Sequence, residues 1–304
     1  MAQTPATPKA RRARLLLLSA LIGPERLLQR DDALQASERA ALALRPTRPK
    51  APATTAVFLI PLVGQHHVQD WPGTSSRLGD TLNSLLAQSD PNWTAIICGQ
   101  DRPDTLPDDP RIIFLPFSEA VEGNDKWRKL SALTRALPDH APKAGYAMTF
   151  DADDIAHPGL VAEMLQTQAP GGYLVETGYV LDKGAGAIGL AGRRSLRHPL
   201  RKPFWKLCGS CAALRYDLAN GADEVAFLHE MSQHEHRMFP YLAKLAGRGL
   251  RPFSRPMVTY LLNHGDNFGA RRGRVGFKTR FVQRYRVTDP AEIDRIKLEF
   301  SLNL

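Results

Sequence analysis

The chain has 304 residues, 43% of them hydrophobic and 23% charged, with a formal net charge of +9 at pH 7. That balance excludes a disordered or fibrous chain and leaves room for a sizeable core in one large or two modest domains. The positive charge suits phosphate-rich ligands, nucleic acid or an anionic membrane face without choosing among them.

In chain order, residues 1–10 are polar, rich in Pro and Thr, and read as a disordered start. Residues 11–45 carry Arg, Ala and Leu at helical spacing and predict one or two amphipathic helices, broken near Gly23-Pro24. They admit two readings, a helix packed on the main domain or a basic helix lying on an anionic bilayer. Glu25, Asp31, Asp32 and Glu38 dilute the positive face and favour packing. "RPTRPKAPATT" (45–55) is a linker by its three prolines.

After the linker the pattern alternates. "AVFLIPLV" (56–63) reads as a buried strand and "TSSRLGDTLNSLLAQS" (74–89) as a helix with Leu78, Leu82, Leu85 and Leu86 on one side. "WTAIICG" (93–99) and "RIIFLPF" (111–117) are strands, "DKWRKLSALTRAL" (125–137) a helix and "YAMTF" (146–150) a strand. Alternation at this pitch predicts a mostly parallel α/β sheet flanked by helices. "GGYLVETGYVLD" (171–182) reads as a hairpin strand, 184–206 as a Gly- and Arg-rich loop, 234–248 as a helix and 256–262 as a strand. The tail from 270 to 286 holds seven Arg or Lys residues with Phe and Tyr between them.

The strand "YAMTF" runs directly into Asp151, Asp153 and Asp154, with His157 three residues on. Three carboxylates at the end of a buried strand repel one another, so a compensating cation would make sense of them. Asp-x-Asp on extended backbone puts two side chains on one side. A hard divalent ion takes such oxygens together with substrate phosphates. The plainer alternative is a turn or helix cap, because His157-Pro158-Gly159 opens a helix. In parallel sheets ligands sit at the carboxyl ends of the strands, where this turn falls.

Cys98, Cys208 and Cys211 give no disulfide framework. Cys208-Gly-Ser-Cys211 has the form of a redox pair but lacks its setting, and reads as small buried thiols in a reducing compartment. No apolar run is long enough to span a membrane. The expected location is cytoplasmic, with a peripheral contact on the inner membrane face as the alternative that the N-terminal helices raise. "HEMSQHEH" (229–236) is not a zinc-protease motif, since His234 follows His229 by five residues instead of four and leaves the shared face.

Five stretches in order, "FLIPLV", "LNSLLAQSDPNWTAIICGQD", "MTFDADD", "EHRMFPYLAKLAGRG" and "YLLNHGDNFG", resemble the inverting family 2 glycosyltransferases of the GT-A fold over residues 56–269. The resemblance implies a Rossmann-like GT-A domain over 51–270, behind an N-terminal helical extension (1–50) and before a basic C-terminal segment with a helix (271–304). It implies that Asp153 contacts Mg²⁺ or Mn²⁺, that Asp151 holds the metal or the ribose, and that Asp154 supports them. Pro61 would mark the nucleotide pocket and Asp101 the base. Lys126, Arg128 and Lys129 would meet phosphates, or else line a solvated helix face. His264 would approach the metal or diphosphate, or else close a strand end. Where the family pairs Glu with an aspartate base, this chain has Glu235-His236. The base is then His236 or Glu235, since histidine can take a proton near neutral pH.

The implied reaction moves a sugar from a nucleotide-diphosphate donor, a UDP-sugar first among them, to a glycan or lipid-linked acceptor with inversion. The basic segments 184–206 and 270–286 would face an acidic acceptor. The alternatives are an inactive relative kept for binding and a basic nucleic-acid binder. The second leaves the acidic turn unexplained, so no nucleic-acid partner is expected. A sugar-phosphate nucleotidyltransferase lacks its glycine-rich loop in "PLVGQHHVQDWPG".

Overall fold

A computed structural model describes residues 3–121, 123–263 and 275–302. The chain opens with three helices, α1 (Lys9–Leu21), α2 (Pro24–Arg30) and α3 (Ala36–Leu44), where the spacing predicts one or two. Gly23 at φ 83° and Pro24 at the first position of α2 make the first break. A capping box between Gln35 and Glu38 starts α3.

The alternating region follows as β1 (Ala56–Pro61), α4 (Trp71–Leu86), β2 (Trp93–Gly99), β3 (Ile112–Pro116), α5 (Lys126–His140), β4 (Ala144–Thr149), the two-residue β5 (Ile155–Ala156) and α6 (Leu160–Thr167). Next come β6 (Gly172–Leu174), β7 (Gly178–Asp182), β8 (Ala187–Ala191), β9 (Ala212–Asp217), α7 (Ala222–Ser232), α8 (Phe239–Leu245), β10 (Arg251–Pro252) and β11 (Val258–Leu262). The described chain closes with α9 (Val275–Arg284) and α10 (Pro290–Glu299).

Among the described residues the strands form two sheets. The larger has seven strands in the order β10-β6-β9-β4-β1-β2-β3. β1 pairs in parallel with β2 and β4, β2 with β3 and β6 with β10, while β9 runs antiparallel between β4 and β6. This is the expected α/β class, a mostly parallel Rossmann-like sheet flanked by helices. β1 is apolar throughout because both faces are covered; Val57, Phe58 and Ile60 are fully buried and α5 lies across β1 and β2. The chain passes outward through β1, β2 and β3, then returns to place β4 on the other side of β1. That reversal makes the carboxyl ends of β1 and β4 the crevice where such sheets bind ligands.

Two sequence readings change here. The expected hairpin strand at 171–182 is broken at Val175–Thr177: β6 joins the large sheet, whereas β7 joins a second sheet ordered β5-β11-β7-β8. The expected loop at 184–206 contains β8, paired antiparallel with β7 from Asp182–Ala187 to Gly178–Ala191. The glycines at 184, 186, 189 and 192 hide the strand periodicity, and Gly189 is a glycine because a Cβ there would lie 2.9 Å from the Cα of Val282 in α9. The second sheet has its own core, with Tyr179, Leu181, Ile188 and Leu261 packed with Ile296 of α10 and Phe300 just after it.

The N-terminal helices pack on α7 and α8. Glu38 is fully buried and accepts hydrogen bonds from Thr7 Oγ1 (2.6 Å), Tyr241 Oη (3.0 Å) and the amide of Gln35 (3.0 Å). Ser37 meets His234 Nε2 at 2.7 Å. Residues expected to be a loose start are therefore engaged from Thr4, whose amide donates to the Gln233 carbonyl. The predicted helix over 234–248 is shorter: His236–Met238 is a single 3-10 turn ahead of α8, because Pro240 fits only the first turn of a helix. Among the described residues no helix is long and apolar enough to cross a membrane.

Candidate active site

The acidic turn leaves β4 beside the end of β1. Its shape comes from the loop before β9. Ser210 Oγ accepts the Asp151 amide at 2.8 Å and donates to Asp154 Oδ2 at 2.5 Å. Cys208 adds its thiol to the same Asp154 oxygen at 3.0 Å. Gly209 passes so near that a Cβ there would stand 3.1 Å from Asp151 Oδ2. The Cys-Gly-Ser-Cys stretch is thus a clamp on the aspartate turn. Its thiols are buried and unpaired with each other, and burial pushes both above the ordinary thiol range.

The three carboxylates take different parts. Asp154 is fully buried, and among the described residues its Oδ1 has no hydrogen-bond partner. Burial, then the charges of Asp153 and Asp151, raise its pKa well above the usual carboxylate range. It supports the turn from within. Asp151 is partly exposed, and Lys126 Nζ sits 2.5 Å from its Oδ1. Burial alone would raise Asp151, but the Lys126 ammonium outweighs it and holds the carboxyl below its usual value. Asp153 is half-buried next to it.

A second cation arrives from the far end of the chain. Lys278 of α9 meets Tyr260 of β11, with Nζ 2.5 Å from the phenol oxygen and 4.2 Å from the ring centre. It lies near enough to Asp151, Asp153 and Asp154 to feel their charge, although burial outweighs them and lowers its pKa. Tyr260 is raised well above an ordinary phenol, by burial and then by Asp153. His236 also feels the charge of Asp151, with its Nε2 sealed from solvent and, among the described residues, without a hydrogen-bond partner. Burial and the neighbouring Arg237 bring this imidazole down to about 3.

The other residues singled out in the sequence are placed as follows. Pro61 ends β1 at the crevice. Asp101 follows β2 and accepts the Gln65 amide at 2.8 Å, which ties down the turn after β1. Lys129 does not face open space: at 1% exposure its ammonium is spent on Asp125 Oδ2 (2.7 Å) and the Leu62 carbonyl (2.6 Å). Arg128 lies on the outer side of α5, 3.9 Å from Glu119. Glu235 is half-buried just before His236. His157 turns away from the aspartates, accepting the Gly159 amide on Nδ1 and packing on Phe300. His264, together with Arg271, Arg272 and Arg274, lies outside the described residues.

The expected Mg²⁺ or Mn²⁺ can be tested against these donors. Among the described residues no three His, Cys, Asp or Glu side chains gather as a metal cage. Asp151 gives an oxygen to Lys126, and Asp154 is turned into the core. Lys126 supplies one counter-charge to the acidic turn, and His264, expected near the metal, lies outside the described residues.

No protein-family model matches the chain, and no curated protein matches it. Among solved structures it is similar to S. aureus TarS residues 1–349, at 9% identity and a TM-score of 0.34, over 68% of this chain and 60% of that one. It is also similar to a 4-diphosphocytidyl-2C-methyl-D-erythritol synthase, at 12% identity and a TM-score of 0.32, over 74% of this chain and 98% of that one. The chain thus spans less than two thirds of the TarS structure. Likeness at this level carries no functional argument, which rests on the side chains instead.

Proposed function

We propose that this chain is a glycosyltransferase that moves a sugar from a nucleotide-diphosphate donor, a UDP-sugar first among them, to a glycan or lipid-linked acceptor. One observation carries the reading: carboxylates and cations gather at the switch point between β1 and β4, with Lys126 against Asp151 and Lys278 within the field of Asp151, Asp153 and Asp154. Carboxylates suit sugar and ribose hydroxyls, which donate hydrogen bonds. Ammonium groups suit a diphosphate, whose charge grows as it leaves.

In this proposal Lys126 and Lys278 take the diphosphate oxygens. Asp151 and Asp153 orient the donor's hydroxyls. The acceptor hydroxyl attacks the anomeric carbon from the face opposite the diphosphate; the new C–O bond forms as the old one breaks, and configuration inverts. The acceptor's proton passes to Glu235. His236, brought down to about 3 by burial and Arg237, is a neutral imidazole and too weak a base for that step.

The experiment is a panel of nucleotide-diphosphate sugars tested for binding by calorimetry and for release of the nucleoside diphosphate, each in EDTA and in Mn²⁺. Binding of one donor with slow hydrolysis supports the proposal. Binding without turnover on any acceptor tried supports an inactive binding protein instead. Absence of binding to every donor in both conditions overturns it.

A further inference from the structure

Residues 193–200 are eight consecutive exposed positions, and Leu196 and Leu200 lie among them at 102% and 56% exposure. This loop is not loose. The Gly192 amide closes its base on the Lys202 carbonyl at 3.1 Å, and Arg201 Nε donates to the Arg193 carbonyl at 3.0 Å. Ser195 and His198 exchange backbone hydrogen bonds that fold the tip, and the His198 ring rests edge-on against Tyr285. A closed turn therefore holds Leu196 out in water with nothing on it.

The setting is cationic. Residues 193–202 contain five Arg or Lys, and no Asp or Glu occurs from 183 to 216. Among the described residues Arg193 alone of these is ion-paired, with Glu176 at 2.5 Å. Lys202 covers the 40% exposed ring of Phe277 at 3.9 Å. Lys206 is within the fields of Arg194, Lys9, Arg237 and Lys202, which with burial lower its pKa. Cations from α1, this loop, the turn before α8 and the loop before β9 thus share one face. Arg237 sits next to His236, and Lys206 two residues before Cys208, so the face borders the candidate active site.

We propose that this face docks on an anionic lipid bilayer, with Leu196 and Leu200 entering the acyl boundary and the surrounding Arg and Lys meeting headgroup phosphates. Two apolar side chains raised among unpaired cations fit an interface that is anionic outside and apolar beneath. Nucleic acid would use the cations but offers no place for projecting leucines, and it is recognised on flat aromatic or guanidinium faces. The docking surface is the loop and not the exposed side of α1, where Leu17 and Leu21 are 60% and 70% exposed, because α1 carries fewer cations beside its leucines. The inference stands independently of the transferase proposal.

The test is co-sedimentation of the full chain with vesicles of phosphatidylcholine alone and with about one third phosphatidylglycerol. Binding to the anionic vesicles only, weakened by salt, is expected. Leu196→Ser/Leu200→Ser should weaken it about tenfold, from the lost apolar burial. Arg194→Gln/Arg197→Gln should weaken it about tenfold or more. Leu17→Ser/Leu21→Ser should leave it unchanged. Because the native cysteines are buried, a fluorophore on Leu196→Cys labels the loop selectively and should shift to shorter wavelength on anionic vesicles. Equal binding to neutral vesicles, a Leu196→Ser/Leu200→Ser variant that binds normally, loss of binding in the α1 variant alone, or a label that does not respond would each overturn the proposal. So would displacement of the vesicles by a random oligonucleotide whose binding ignores the leucines.

Discussion

The Nζ atom of Lys126 stands 2.5 Å from Oδ1 of Asp151, so the acidic turn carries a counterion supplied by the first residue of α5. On the proposed function, that ammonium is in place for the donor's diphosphate. Lys126→Met should lower kcat/KM for the donor by about 100-fold or more, with Lys126→Arg recovering part of it. Steady-state nucleotide release, with thermal melting to show that the fold is intact, measures this. Full turnover in the methionine variant would remove Lys126 from the mechanism.

Because the balancing charge is a lysine, donor binding should persist without metal. The dissociation constant for the preferred nucleotide sugar should agree within about twofold between EDTA and Mn²⁺ in titration calorimetry. Binding seen only with Mn²⁺ would return the ion to the site expected from the sequence.

His236 gives a pH effect on stability. Its pKa falls from an ordinary 6.5 to about 3 on folding, through burial first and Arg237 second. The folded state therefore prefers the neutral ring. Stability from this group is complete above pH 6.5 and is lost as pH drops towards 3. Between pH 7 and pH 5 the wild type should lose about 1–2 kcal/mol more than His236→Gln. Urea unfolding at the two pH values decides it; identical losses would show that the ring titrates normally. The same neutral ring means that the activity profile of His236→Gln should keep the wild-type limbs near neutral pH.

The clamp on the turn has its own signature. Ser210→Ala removes the donor to a fully buried Asp154 and the acceptor of the Asp151 amide, and should cost about 1–3 kcal/mol. Turnover should fall along with stability, since Asp151 would lose its anchor. Chemical denaturation and donor hydrolysis measured together test the link; a destabilised variant with unchanged turnover would show that the clamp serves the fold alone.

Much of this was readable along the chain. The runs "AVFLIP", "WTAIICG" and "YAMT" are apolar apart from Thr94 and Thr149 because both sheet faces are covered, and that run-length signal needs no partner to be seen. The acidic turn after the last of them was equally visible. Its three carboxylates were not separable, because nothing in Asp-x-Asp-Asp says which side chain enters the core. Lys129 read as a phosphate ligand for the same reason: helix spacing does not show that Asp125 and the Leu62 carbonyl wait for its ammonium.

What belonged to the chain as written was the local pattern: strand and helix alternation, the position of the aspartates at a strand end, and the cationic loop at 193–202. What waited for the folded molecule was pairing between distant segments. Ser210 and Cys208 reach Asp154 from 56 and 54 residues away, and Lys278 meets Tyr260 only because α9 packs against the second sheet. Hydrogen bonds and charge interactions act over a few ångströms, so their partners are set by how the two sheets bring the chain together and not by neighbourhood in sequence.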